Sequence, residues 1–182
     1  MNPKLKQVRK RLRDDFSFYA KSAAKIRTKE GDIRPLVLNP AQQILDDAVR
    51  KQMASEGKVR VIILKARQQG LSTYVGGYLY FSVSQKTAQK ALVVTHHSDS
   101  TRALFDMTKR FHEHCPELLR PQTRYSSRRE LSFSHLDSSY VVATAGSDSV
   151  GRGETLTHVH ASELAFWQKS TAADTWNGLL QA

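Results

Sequence analysis

Residues 59–73 read VRVIILKARQQGLST: an apolar, β-branched run, a glycine-bearing turn, then Ser72 and Thr73 opening a helical pattern. The run predicts a buried strand over 59–65. A strand that passes through such a turn into a helix can cradle a polyphosphate. The turn's N–H groups point inward, the helix N-terminus adds its positive dipole end, and a hydroxyl can reach a bound Mg²⁺. Lys65 and Arg67 flank the point where the strand ends, and a plain turn needs no pair of cations there. The segment departs from the common GxxxxGK[ST] pattern at two places, with Lys65 at the first glycine and Leu71 where the lysine stands. The competing reading is an ordinary strand–turn–helix with no ligand.

Composition bounds what surrounds this segment. At 182 residues with 40% hydrophobic content, one domain with a sizeable core is the expectation. The 28 Lys and Arg against 17 Asp and Glu leave a net charge of +11, which suits a polyanionic partner, nucleic acid first. A soluble basic surface without such a partner is the alternative. The single cysteine, Cys115, leaves no internal disulfide to form, so a reducing cytoplasmic setting is expected. No apolar run approaches the ~20 residues of a membrane span, and the basic N-terminus lacks the apolar stretch of a secretion signal.

Along the chain, residues 4–29 carry ten Lys and Arg, with Leu5, Val8, Leu12, Phe16 and Tyr19 at helical spacing among them. The spacing predicts a basic amphipathic helix, either a solvated face or a contact for DNA or a partner, broken at Glu30-Gly31-Asp32. Residues 1–34 are accordingly read as a basic helical segment and 35–182 as the main domain. Asn39-Pro40 starts a helix that Gly57 ends, with Ala41, Ile44, Leu45, Ala48 and Val49 as its apolar stripe. Gln42 lies in its first turn, where an amide could read an adenine edge or simply be solvated. A helix over 72–84 contains Gly76 and Gly77, each costing about 1 kcal/mol against alanine, which implies close packing there. Residues 91–95 form a buried strand, and Ser98 or Asp99 caps the helix that follows. Residues 130–133 and 139–145 read as strands around a polar turn. Strands alternating with helices predict an α/β sandwich with a parallel core sheet.

A second constellation lies at 156–167, LTHVHASELAFW. A strand ending in a carboxylate beside a phosphate loop can place a base that orients or deprotonates an attacking water, and Glu163 is that candidate. Ser162 stands where such strands commonly carry a metal-holding aspartate. The alternative makes Ser162 an N-cap and Glu163 a first-turn carboxylate. Before it, residues 144–153 form a small-residue loop holding Arg152 between Gly151 and Gly153, suited to a cation that must reach a phosphate, although glycine-rich surface loops with an arginine are common. His158 and His160 alternate onto one strand face. With no cysteine pair or HExxH helix, packing or surface histidines are the reading there, and no metal beyond Mg²⁺ is expected.

Gln42 in LNPAQ, the loop KARQQGLST, the arginine of GRG and HASELAFW, in this order and spacing, resemble the ATPase domain of phage terminase large subunits, the motors that package viral DNA. The resemblance covers roughly residues 36–182. It implies an α/β P-loop NTPase sandwich of the ASCE type, with a mainly parallel central sheet flanked by helices. It further implies ATP and Mg²⁺ as cofactors and hydrolysis that drives double-stranded DNA into a procapsid. Gln42 would contact adenine; Lys65, Ala66, Arg67, Gln68, Gln69, Gly70, Leu71, Ser72 and Thr73 would wrap the phosphates. Ser72 would face Mg²⁺, with Ser162 a weaker metal candidate. Arg67 would replace the lysine missing at Leu71, Glu163 would be the catalytic carboxylate, and Arg152 would act in its own subunit or on a neighbour's nucleotide. Implied partners are the portal protein, the small terminase subunit and further copies in a ring, in the host cytoplasm. The chain is read as an ATPase part lacking the coupling motif and nuclease domain of such proteins. A helicase-like DNA-remodelling ATPase and a non-enzymatic basic DNA-binding module with a vestigial loop are the alternatives.

Overall fold

A computed structural model describes residues 3–147 and 155–180. In chain order these form α1 (Pro3–Asp14), α2 (Phe16–Ala23), β1 (Lys25–Arg27), β2 (Ile33–Pro35), α3 (Pro40–Glu56), α4 (Leu71–Gln85), β3 (Lys90–Thr95) and α5 (Ser98–Glu113). They continue with β4 (Thr123–Ser126), β5 (Glu130–Phe133), β6 (Ser138–Thr144), β7 (His158–Ala161), a short 3-10 turn (Leu164–Phe166) and α6 (Lys169–Leu180).

The fold is α/β, built on one five-stranded sheet of order β4-β5-β6-β3-β7 with helices on its faces. Strand β3 is parallel to β6 and to β7, with Leu92 opposite both Val141 and Val159. The β4–β5 and β5–β6 pairs are antiparallel, so the expected mainly parallel sheet is in fact mixed. The cause is local. Residues 134–137 join β5 to β6 by a short turn, and a parallel pair would need a crossover of a dozen residues or more.

Alternation divides the sheet's two faces. Ala91, Val93, Tyr140 and Val142 belong to the main core under α2, α4 and α5, with Phe105, Phe111, Leu131 and Phe133. Leu92, Val94, Val141 and Ala143 face the other way, into a smaller cluster with Trp167 and Leu179. Buried on both faces, β3 is a continuous apolar run rather than an alternating one.

The N-terminal segment is not one helix. Asp15 caps α2 by accepting from the Phe18 N–H at 2.9 Å, which splits the basic stretch, and β1 and β2 pair as an antiparallel hairpin before Pro35. Phe16 and Tyr19 of α2 are buried in the main core, Phe16 edge-on to Tyr74 at 5.3 Å. The close packing expected at Gly76 and Gly77 is present: a Cβ would lie 2.7 Å from Met107 Cε at the first and 3.2 Å from Leu36 Cδ2 at the second. The neighbours at Gly77 are side chains of α2, α5 and the segment before α3, while at Gly76 they are Met107 of α5 and, from the sheet, the Tyr140 hydroxyl at 3.7 Å.

The strand expected over 59–65 does not form. These residues are extended but join no ladder, and Ile62 and Leu64 are fully exposed at 100% and 101%. A strand exists only through a neighbour's N–H and C=O groups, and among the described residues the sheet stops at β7, which does not pair with this segment. Helix α5 also differs in its cap: His97, not Ser98 or Asp99, is the N-cap residue, its ring nitrogen accepting from the Asp99 N–H. Among the described residues no helix is long and apolar enough to cross a membrane.

Candidate nucleotide site

Helix α3 starts as its sequence predicts. Asn39 Oδ1 accepts from the Gln42 N–H at 2.9 Å and Gln42 Oε1 accepts from the Asn39 N–H at 3.0 Å, a reciprocal capping box with Pro40 in the first turn. The same two side chains reach across to the glycine turn. Gln42 Nε2 donates to the Gly70 carbonyl at 2.7 Å, and Asn39 Nδ2 donates to the Gln69 carbonyl at 3.2 Å. Gln42 is buried, and its amide spends one end on the cap and the other on the loop. The α3 N-terminus therefore holds the bend that precedes α4. Asp46, one turn further, is buried and accepts from the Tyr74 hydroxyl at 3.0 Å, tying α3 to α4 a second time.

The bend itself is strained. Gln68 has φ 63° and Gly70 has φ 71°. Left-handed backbone costs a non-glycine residue of order 1–3 kcal/mol, and such strain gathers where a ligand is clamped. Lys29 Nζ donates to Gln68 Oε1 at 2.8 Å. Gly70 is required twice over, by its φ and because a Cβ there would meet Gln42 Nε2 at 2.9 Å. The Gly70→Ala variant should lose about 1–3 kcal/mol of stability from this strain and crowding, read by urea denaturation. Retained stability would mean that Gln42 does not hold the turn as described.

Beyond the bend, α4 opens with Gly70 as its N-cap residue, no side chain capping its first turn and no acid within it. Its early N–H groups thus face outward without a side-chain acceptor, the arrangement that favours an anion. Ser72 and Thr73 lie in that first turn, partly buried, while Lys65, Ala66, Arg67, Gln68 and Gln69 are exposed.

The β7 end completes the geometry. Val94 and Ala161 are register partners, and continuing that register by two residues sets His96 beside Glu163. His96 Nδ1 lies 3.2 Å from Glu163 Oε2. The pair makes no hydrogen bond, and the buried Nδ1 has no hydrogen-bond partner. Glu163 is itself left-handed, with φ 53° and ψ 44°, and precedes the 3-10 turn without capping it by side chain. Of the four non-glycine residues with positive φ among the described residues, Gln68 and Glu163 fall in the two segments singled out by sequence, while Ala88 and Asp137 lie in turns bordering β3 and β6. Ser162 is buried; its N–H donates to the Val94 carbonyl at 2.8 Å and its carbonyl accepts from Trp167 Nε1 at 3.1 Å.

The two segments also meet electrostatically. Burial, and then the Lys65 charge, lower the His160 pKa to about 4; burial, and then Lys86, do the same for His158. Lys65 therefore stands close to β7, three residues before Glu163. Arg152 lies outside the described residues. Asn39 was expected only as the cap of α3, and His96 was not expected beside Glu163. For His96 the available signal was its place just past β3, level with Glu163 once the strands are set parallel.

Mg²⁺ normally keeps several waters and takes phosphate oxygens with few protein ligands. Among the described residues no group of three or more His, Cys, Asp or Glu side chains could hold a metal ion. In comparisons with known proteins, no protein-family model and no curated sequence matches the chain.

Proposed function

We propose that this chain is a P-loop ATPase unit of the kind found in viral terminase large subunits, hydrolysing ATP to move double-stranded DNA into a procapsid. One observation carries the reading. The strained bend at Gln68–Gly70, held by Gln42, opens onto an α4 N-terminus without a side-chain cap, and Lys65 at its head acts on His160 of the strand that leads to Glu163. In this reading the α4 N–H groups and the Lys65 and Arg67 charges bind the triphosphate, and Gln42 links the base to the loop. Mg²⁺, held by Ser72 with Ser162 nearby, neutralises phosphate charge. Glu163 positions the attacking water and takes its proton, with His96 close beside the carboxylate. Arg152, in its own subunit or from a neighbour in a ring, supplies a further cation to the phosphates. Portal protein and the small terminase subunit are the partners this reading brings with it.

A second reading has its own observation. Residues 59–65 lie off the sheet, and a loop without a laddered strand behind it is less firmly braced than a working phosphate loop requires. A basic DNA-binding module with a vestigial loop fits that state. Calorimetric titration with Mg-ATP separates the two. The motor reading expects saturable binding, weakened about 10- to 100-fold by Lys65→Ala or Arg67→Ala, the loss of one charge-assisted hydrogen bond each. Absent binding, or binding indifferent to both substitutions, overturns the motor reading in favour of the module.

A further inference from the structure

Helix α1 carries six cations, Lys4, Lys6, Arg9, Lys10, Arg11 and Arg13, against the single acid Asp14. They do not all serve the same end. Arg11 secures the α1–α2 junction, its guanidinium 4.3 Å from the centre of the Phe18 ring and its Nε 3.2 Å from Asp15 Oδ2. Lys6, Arg9, Lys10 and Arg13 recur at three- and four-residue intervals, so they share one helical face, and with Asp14 as the one acid beside them they line a cleft of about 610 Å³. The opposite wall is Gln85 at the end of α4 with Leu118 and Leu119 past α5. Gln85 Nε2 donates to the Leu119 carbonyl at 3.0 Å, which fixes this wall to the domain.

We infer that this cleft is a docking surface for the phosphate backbone of double-stranded DNA. Charge complementarity selects the occupant. From Lys6 to Arg13 the helix rises about 10 Å, against an axial spacing of roughly 3.4 Å between phosphates of one strand, so the row spans about three phosphates. A regular row of cations on a rigid helix matches a regular polyanion. An acidic peptide carries its charges at no fixed spacing, and a row set by helical geometry gives it no register to match. The inference deepens the DNA-partner part of the proposed function and rests on that part alone. It involves no nucleotide chemistry, so failure of ATP binding leaves it standing.

The test is DNA binding by the whole chain, without nucleotide, followed by fluorescence anisotropy on a labelled 25-base-pair duplex across a salt series. Each phosphate contact contributes about 0.9 to the slope of log affinity against log salt, so the triple variant Lys6→Gln/Lys10→Gln/Arg13→Gln should lower the slope's magnitude by about 2.7 and weaken binding at least about tenfold near 0.1 M salt. A control triple on other exposed surfaces, Lys51→Gln/Lys58→Gln/Arg128→Gln, should change the slope by much less. Thermal unfolding of each variant confirms that α1 and the domain remain folded. An unchanged slope in the α1 variant overturns the inference, as does an equal fall in the control, which would make the attraction diffuse. Displacement of the duplex by polyglutamate at equal charge concentration would show a surface for acidic protein and overturn the assignment to DNA.

Discussion

The Glu163→Gln variant should lose ATP turnover by about 10²- to 10⁴-fold while binding Mg-ATP as tightly as the parent chain, because it removes a base and leaves the phosphate contacts in place. The geometry makes the split sharp. Glu163 follows β7, partly exposed, with a left-handed backbone and its carboxylate 3.2 Å from His96, whereas the proposed phosphate contacts belong to the bend and the start of α4. A charge-neutral amide of the same shape keeps the fold and the approach to His96 but cannot take a proton from water. Single-turnover hydrolysis beside equilibrium nucleotide binding reads both quantities. Equal loss of binding and turnover would place Glu163 in the architecture of the site rather than in its chemistry. Full retention of turnover would remove it from the reaction.

Helix α3 was legible from both ends. Asn39-Pro40 and Gly57 have one physical use each, and α3 begins and ends on them, with Gly57 left-handed at φ 67°. Its buried face was legible only in part: Leu45 and Val49 of the expected stripe are buried and Ala41 packs against the core. Hydropathy selects Ile44 and Ala48, yet Ile44 is 73% exposed and the face turned inward is Gln42, Leu45, Asp46 and Val49. Two polar residues are buried there because each has partners on another element: Gln42 the Gly70 carbonyl, and Asp46 the Tyr74 hydroxyl. Such pairings are long-range, and a periodicity reading cannot see them. The reverse holds at 59–65, where β-branched residues state a preference for a strand but cannot supply its neighbour. Strand β4, Thr-Arg-Tyr-Ser, has too polar a pattern to announce itself and forms because β5 offers it an edge. The nearness of Lys65 to β7 was equally out of reach, since it depends on how residues 59–70 cross the sheet and not on any local spacing.

Burial of the β7 imidazoles gives the second large effect, a loss of stability in mild acid. His158 and His160 are held at about 4 by burial first and by Lys86 and Lys65 second, against about 6.5 for an unperturbed histidine. Their folded pKa values are depressed, so between pH 6.5 and 4 the unfolded chain binds protons that the native state refuses, and stability rises with pH across that window. The contribution is complete above about pH 6.5 and is lost as pH falls to about 4. A shift of this size corresponds to roughly 3 kcal/mol for each ring, an order-of-magnitude figure for two neighbouring sites on one strand. Urea denaturation at pH 7.5 and pH 5 should therefore show a clear fall in midpoint, mostly abolished in a His158→Gln/His160→Gln double variant. The window lies above the range where most carboxylates titrate, so the comparison isolates the imidazoles. A protein equally stable at both pH values, or a pH dependence undiminished by the double substitution, would mean that these rings are not held neutral in the fold; the remainder expected in the double variant belongs to His112, whose pKa burial also lowers. The same titration bears on the bend. A protonated His160 would add a positive charge where the Lys65 charge already acts, so nucleotide binding through Lys65 and acid stability through His160 are linked electrostatically.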